Sequence, residues 1–184
     1  MALPSLRFKY GQFLMLLKRR AQALEVFRAV TREDPRHRRA WSYVGFLLAA
    51  REELDAAVDA FEHVLALDPA DAAAQFNAAF LLQRLGRHVE ALARFERAAA
   101  ADARLDRAWY GLGLSLAHLG RLEEAAAKFQ EAARLQPANP FPGYQLAAVW
   151  HRLGRREELR AEYERVKAFD AGVAERIRVE FGVH

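Results

Sequence analysis

The sequence predicts an all-α fold, a solenoid of five helix-turn-helix repeats with a short helix closing its C-terminal end. Three observations carry this: a 34-residue period, apolar residues returning every three or four positions, and small and aromatic residues recurring at fixed places within the period. Pro35, Pro69 and Pro137 stand on one 34-residue grid, with Ala103 in the missing place. Leu85-Gly86-Arg87, Leu119-Gly120-Arg121 and Leu153-Gly154-Arg155 stand on a second grid of the same spacing. With the prolines at repeat position 32, the chain divides at 4–37, 38–71, 72–105, 106–139 and 140–173 without insertions, inside a single domain spanning 1–184.

Each repeat is expected to hold two amphipathic helices, giving about eleven helices once the C-terminal cap is added. The first repeat places Gly11 at position 8, Ala23 at position 20 and Phe27 at position 24, and the second places Gly45, Ala57 and Phe61 there. The third carries Ala79, Ala91 and Phe95, with Gly86 after its first helix as a C-terminal cap. In the fourth, Gly113, Ala125 and Phe129 take the same places, Leu112, Leu116 and Leu119 form one apolar face, and Glu123 and Glu124 open the second helix, where carboxylates favour the positive end of the dipole. The fifth keeps Ala147 and has Tyr163 as its aromatic; Glu157 and Glu158 open its second helix, but Leu159 and Arg160 depart from the pattern. Small residues at positions 8 and 20 let the paired helices approach closely, and the aromatic at position 24 fills the space toward the next repeat. Proline at position 32 stops the second helix and sets the turn. Val173, Ile177 and Phe181, at fourfold spacing, predict a final helix over 173–181 that covers the last repeat, with the cap taken as 174–184.

This constellation resembles the tetratricopeptide repeat family. The resemblance implies a right-handed α-solenoid whose first helices line a concave face, with repeat positions 2, 5, 6, 9, 12 and 13 turned into it, and a protein-interaction role rather than catalysis. Carried onto this chain, the implied groove residues are Phe8, Tyr43, Phe46, Phe76, Asn77, Phe80, Arg84, Arg107, Tyr110, His118, Tyr144, His151 and Arg152. Position 5 reads Phe8, Ser42, Phe76, Tyr110 and Tyr144, an aromatic ladder in four of five repeats. Rings held toward water are costly to hydrate and become anchors when a partner covers them. Arg39, Arg84, Arg107 and Arg152 stand around them, a combination suited to a peptide or protein segment with apolar anchors and some acidic residues. One subfamily grips acidic chaperone tails through a carboxylate clamp. Only Asn77 and Arg107 match that pattern here, so chaperone-tail binding is not expected.

Composition narrows the alternatives. There are no cysteines, which removes disulfide scaffolding, thiol catalysis and cysteine-ligated zinc. None of His37, His63, His88, His118, His151 and His184 has the spacing of a metal motif, although His118 and His151 fall at neighbouring register positions. No nucleophile elbow, phosphate-cradling loop or dinucleotide fingerprint is present, so no enzyme activity and no cofactor are expected. The net charge of +4 rests on 28 basic residues, nearly all Arg, which together with abundant Ala reflects a GC-rich bacterial genome more than a nucleic-acid partner. RNA or another polyanion on the basic side is the secondary alternative, with Arg36, His37, Arg38 and Arg39 the densest cluster and Lys18, Arg19 and Arg20 in the preceding inter-helix turn. The first alternative is a structural subunit of a larger or self-associating complex, using the first helix or the C-terminal edge. The longest N-terminal apolar run, Phe13 to Leu17, is not followed by a small-residue cleavage site, and no stretch reaches the length a bilayer demands. A cytoplasmic location, no membrane partner, and a monomer or weak homo-oligomer are therefore expected.

Overall fold

The computed structural model describes residues 4–183, so Met1, Ala2, Leu3 and His184 lie outside the described residues. Among the described residues all regular structure is helical. In order the helices are α1 (Pro4–Leu16), α2 (Arg20–Glu33), α3 (Arg38–Ala49), α4 (Leu54–Leu67), α5 (Ala72–Arg84), α6 (His88–Ala101), α7 (Asp106–His118), α8 (Leu122–Leu135), α9 (Pro140–Arg152), α10 (Arg156–Lys167) and α11 (Ala171–Phe181). The odd-numbered helices up to α9 begin at residues 4, 38, 72, 106 and 140, the spacing of the sequence period.

The chain falls into two compact units that part between Ala101 and Asp102. In the first, α1 packs on α2, α3 on α4 and α5 on α6, while α2 meets α3 and α4 meets α5. In the second, α7 pairs with α8 and α9 with α10; α8 meets α9, and α11 rests on both α9 and α10. The position-24 rings Phe27, Phe61, Phe95 and Phe129 are buried. A Cβ added at Gly11, Gly45 or Gly113 would lie only 2.5 to 2.8 Å from the nearest ring carbon of Phe27, Phe61 or Phe129. Position 8 is small because the aromatic of the same repeat lies directly on it.

Two details of the turns escape the sequence pattern. Asp34, Asp68 and Asp102 each accept, through Oδ1, a backbone N–H two residues on, at 3.0 to 3.3 Å. Then Trp41 Nε1, Gln75 Nε2 and Trp109 Nε1 donate to the carbonyls of Pro35, Pro69 and Ala103, at 2.9 to 3.0 Å. The turn is thus held by an aspartate before position 32 and by a donor six residues after it, neither of which uses the proline ring. That is why Ala103 serves where its counterparts are prolines.

The expected apolar faces also shift at helix ends. Leu112 and Leu116 are buried, but α7 stops at His118 and Leu119 is 38% exposed. The final helix begins at Ala171, two residues earlier than the apolar spacing predicts, because Asp170 caps it by accepting from the Val173 N–H at 2.9 Å. Ala174 and Ile177 are its buried residues, and Val173 and Phe181 lie at the margins.

Candidate binding face

In the first unit the sequence-expected groove residues separate into packed and open ones. Phe8 is corrected from an open anchor to a core residue: it is 6% exposed, its ring centroid 5.5 Å from Phe27, 4.5 Å from His37 and 5.7 Å from Tyr43, with the Arg39 guanidinium 5.2 Å above it. The physical reason is that a ring at position 5 reaches sideways to its own repeat's position-24 aromatic and to the next first helix. Tyr43 is half-buried and lies flat on Phe27 at 4.5 Å, and its hydroxyl accepts a hydrogen bond from Gln12 Nε2 at 3.2 Å. Phe76 is half-buried, leaning on Phe95 at 5.8 Å.

The open rings are those at position 9. Phe46 on α3 is 52% exposed and Phe80 on α5 is 46% exposed, and Phe76 stacks beside Phe80 with centroids 6.4 Å apart. Asn77, half-buried on the same helix, brings amide donors and an acceptor. Arg84 is exposed and forms an ion pair with Glu52, a residue the groove positions do not include. Glu52 stands on the grid of Gly86, Gly120 and Gly154, and it shares their positive φ, as does Lys18. That register was the signal by which it was legible.

In the second unit Tyr110 is half-buried against Phe129 at 5.7 Å, and burial raises its phenol above the ordinary pKa while a hydrogen bond with Gln145 opposes the shift. Arg107 and His118 are exposed, and Arg152 donates from Nη1 to the Ala117 carbonyl at 3.3 Å. Tyr144 and His151 are brought together by a residue not counted among the groove positions: the Phe181 ring of α11 lies 5.7 Å from the first and 5.4 Å from the second. The Tyr144 hydroxyl donates to Glu180 Oε2 at 2.5 Å, and the Arg176 guanidinium sits 4.7 Å over the ring. The hydrogen bond to Glu180, burial and the repulsion of that carboxylate raise the phenol pKa, against an opposing effect of Arg176. The C-terminal helix therefore already occupies this pair, with an acidic side chain and an aromatic one.

These faces offer apolar rings with amide, hydroxyl and guanidinium groups beside them, a chemistry of binding. No group of three or more His, Asp or Glu side chains among the described residues is arranged to hold a metal ion. No helix among them is long and apolar enough to cross a membrane.

The family model described as tetratricopeptide repeat matches residues 17–72 and 76–140. No curated protein matches the chain by sequence. Solved structures share its fold. The MamA RS-1 ArsTM double mutant has a TM-score of 0.86 at 22% identity, over 91% of this chain and 94% of its own. YrrB, described as a TPR protein with an unusual peptide-binding site, has a TM-score of 0.84 at 18% identity, over 94% and 90%. PilF of Pseudomonas aeruginosa has a TM-score of 0.78 at 18% identity, over 98% and 85%.

Proposed function

The chain belongs to the tetratricopeptide repeat family, and from that premise we propose that it is a non-catalytic adaptor holding a peptide or protein segment against the open side of its first helices. One observation carries the reading: Phe46 and Phe80 occupy the same repeat position on α3 and α5, and both keep about half of their surface in water although the fold buries other large rings completely. A ring left open in this way gains roughly 1.5 to 3 kcal/mol when a partner fully desolvates it. Phe76 widens the apolar platform, while Asn77, the Tyr43 hydroxyl and the Arg84–Glu52 pair supply directional contacts at its border. The ligand is accordingly a segment with two apolar anchors and an acidic residue that competes with Glu52 for Arg84. The peptide-binding site ascribed to YrrB, on the same fold, supports a peptide as the ligand.

Panning a displayed peptide library against the protein, followed by calorimetry, tests this. Selected peptides are expected to carry aromatic or aliphatic anchors, and Phe46→Ala with Phe80→Ala is expected to weaken them by at least about 2 kcal/mol, some thirtyfold in Kd, while the helical circular dichroism stays unchanged. Affinity that survives the double substitution would remove the ligand from this face.

A further inference from the structure

We propose that the outer face of α1 is a second, separate binding surface that docks onto anionic lipid membranes. This helix carries apolar residues on its outer as well as its inner side. Phe8, Gly11 and Leu14 face inward and are buried, while Leu6, Tyr10, Phe13, Leu16 and Leu17 remain exposed, Leu6 at 62% and Leu16 at 78%. Leu6, Tyr10, Phe13 and Leu17 follow one another at intervals of four, three and four residues, so they form one continuous stripe along the helix. Single exposed apolar residues are ordinary; four on one helix, two of them aromatic, with Leu17 directly after it, make a patch that calls for a cover.

The charges carried by α1 and by the turn that follows it are of one sign. The described residues of α1 include no acidic side chain, and Lys9 lies next to the stripe. Lys18, Arg19 and Arg20 follow at its C-terminal end, all exposed. Among the described residues none of these four cations has an acidic partner within ion-pair distance, whereas Arg7, at the edge of the same hollow, is paired with Glu33. A second copy set against this face would oppose the same cations to each other, which is unfavourable. A partner helix needs a groove, and the shallow hollow here is lined by Leu6, Arg7, Lys9, Tyr10 and Phe13, all from α1, so it has no second wall. A ridge without walls, with aromatic and leucine side chains along its crest and free cations beside it, fits the interface of an anionic bilayer. The sequence-based expectation of no membrane partner concerned a spanning segment and a cleaved leader; a helix lying in the interface requires neither.

Co-sedimentation of the intact chain with vesicles tests the assignment. Vesicles of phosphatidylcholine with roughly one third phosphatidylserine are expected to bind at low salt, vesicles of phosphatidylcholine alone at least about tenfold more weakly. Leu6→Ser with Phe13→Ser is expected to lower the partition by about tenfold or more, and Lys18→Glu with Arg19→Glu to remove its salt dependence. Val89→Ser, which removes exposed apolar surface on α6 instead, is expected to leave it unchanged. No binding to the anionic vesicles, or binding indifferent to the Leu6 and Phe13 pair, overturns the proposal. So does a dimer seen by light scattering that the Leu6 and Phe13 substitutions dissolve without any effect on vesicles. Because none of these side chains belongs to the Phe46 and Phe80 face, failure here leaves the peptide reading standing, and the reverse also holds.

Discussion

Gly113 lies so close to Phe129 that a Cβ would sit 2.5 Å from the ring, and Phe129 has no exposed surface through which to yield. Gly113→Ala is expected to cost about 1 to 3 kcal/mol of stability by overpacking, and Gly113→Leu more, measured as a lowered midpoint in urea without a change in slope. The opposite sign is expected at Lys18. Its φ is 59°, in the left-handed region that Gly86, Gly120 and Gly154 occupy at the equivalent place in later repeats. A side chain there strains the backbone, so Lys18→Gly is expected to stabilise by about 0.5 to 1 kcal/mol in the same titration, the relief exceeding the greater entropy of glycine in the unfolded chain. One register thus yields two predictions of opposite direction, set by what surrounds each backbone position.

At the scale of the element, α11 acts as a built-in occupant of α9. Its contact is tuned by the Tyr144 hydroxyl, whose folded pKa is raised chiefly by the hydrogen bond to Glu180. A neutral group whose pKa is raised on folding contributes stability that is complete below the ordinary phenol pKa and is lost as pH rises through the raised one. Tyr144→Phe is therefore expected to lose about 1 kcal/mol or less at neutral pH, and the difference from the unaltered chain to vanish in strongly alkaline solution. Urea titrations of both proteins across that range check it. The elements were largely legible in the sequence because a repeat writes the same constraint several times: glycine or alanine under a ring, an aromatic in the core, a break every 34 residues. The coverage of Tyr144 and His151 was not, because it depends on where α11 lies, and Asp170 shifted that helix two residues from its apolar spacing. Phe8 was misread for a related reason. Repeat position says which way a side chain starts, whereas burial depends on the neighbours it meets, here Phe27, His37 and Tyr43.

For the whole molecule the question is what the basic excess does. The net charge is +4, yet much of the arginine is engaged inside the fold: Arg38 with Asp68 and Asp71, Arg84 with Glu52, Arg94 with Glu62, and a series of pairs three residues apart such as Arg121 with Glu124 and Arg134 with Glu131. Each such pair contributes little to stability at an exposed site, but it cancels a positive charge that a phosphate backbone would otherwise meet. A ligand held mainly by rings at Phe46 and Phe80 releases few counterions. Its affinity is expected to fall by less than about tenfold between 50 and 200 mM salt, against the roughly 10³ to 10⁵ lost over that range by proteins contacting six to ten phosphates. Calorimetry of a selected peptide at several salt concentrations decides between them. A shallow slope, lost binding in the Phe46 and Phe80 variant and no gain from single-stranded RNA together place recognition on the aromatic face; a steep slope with RNA retained would move it to the cations.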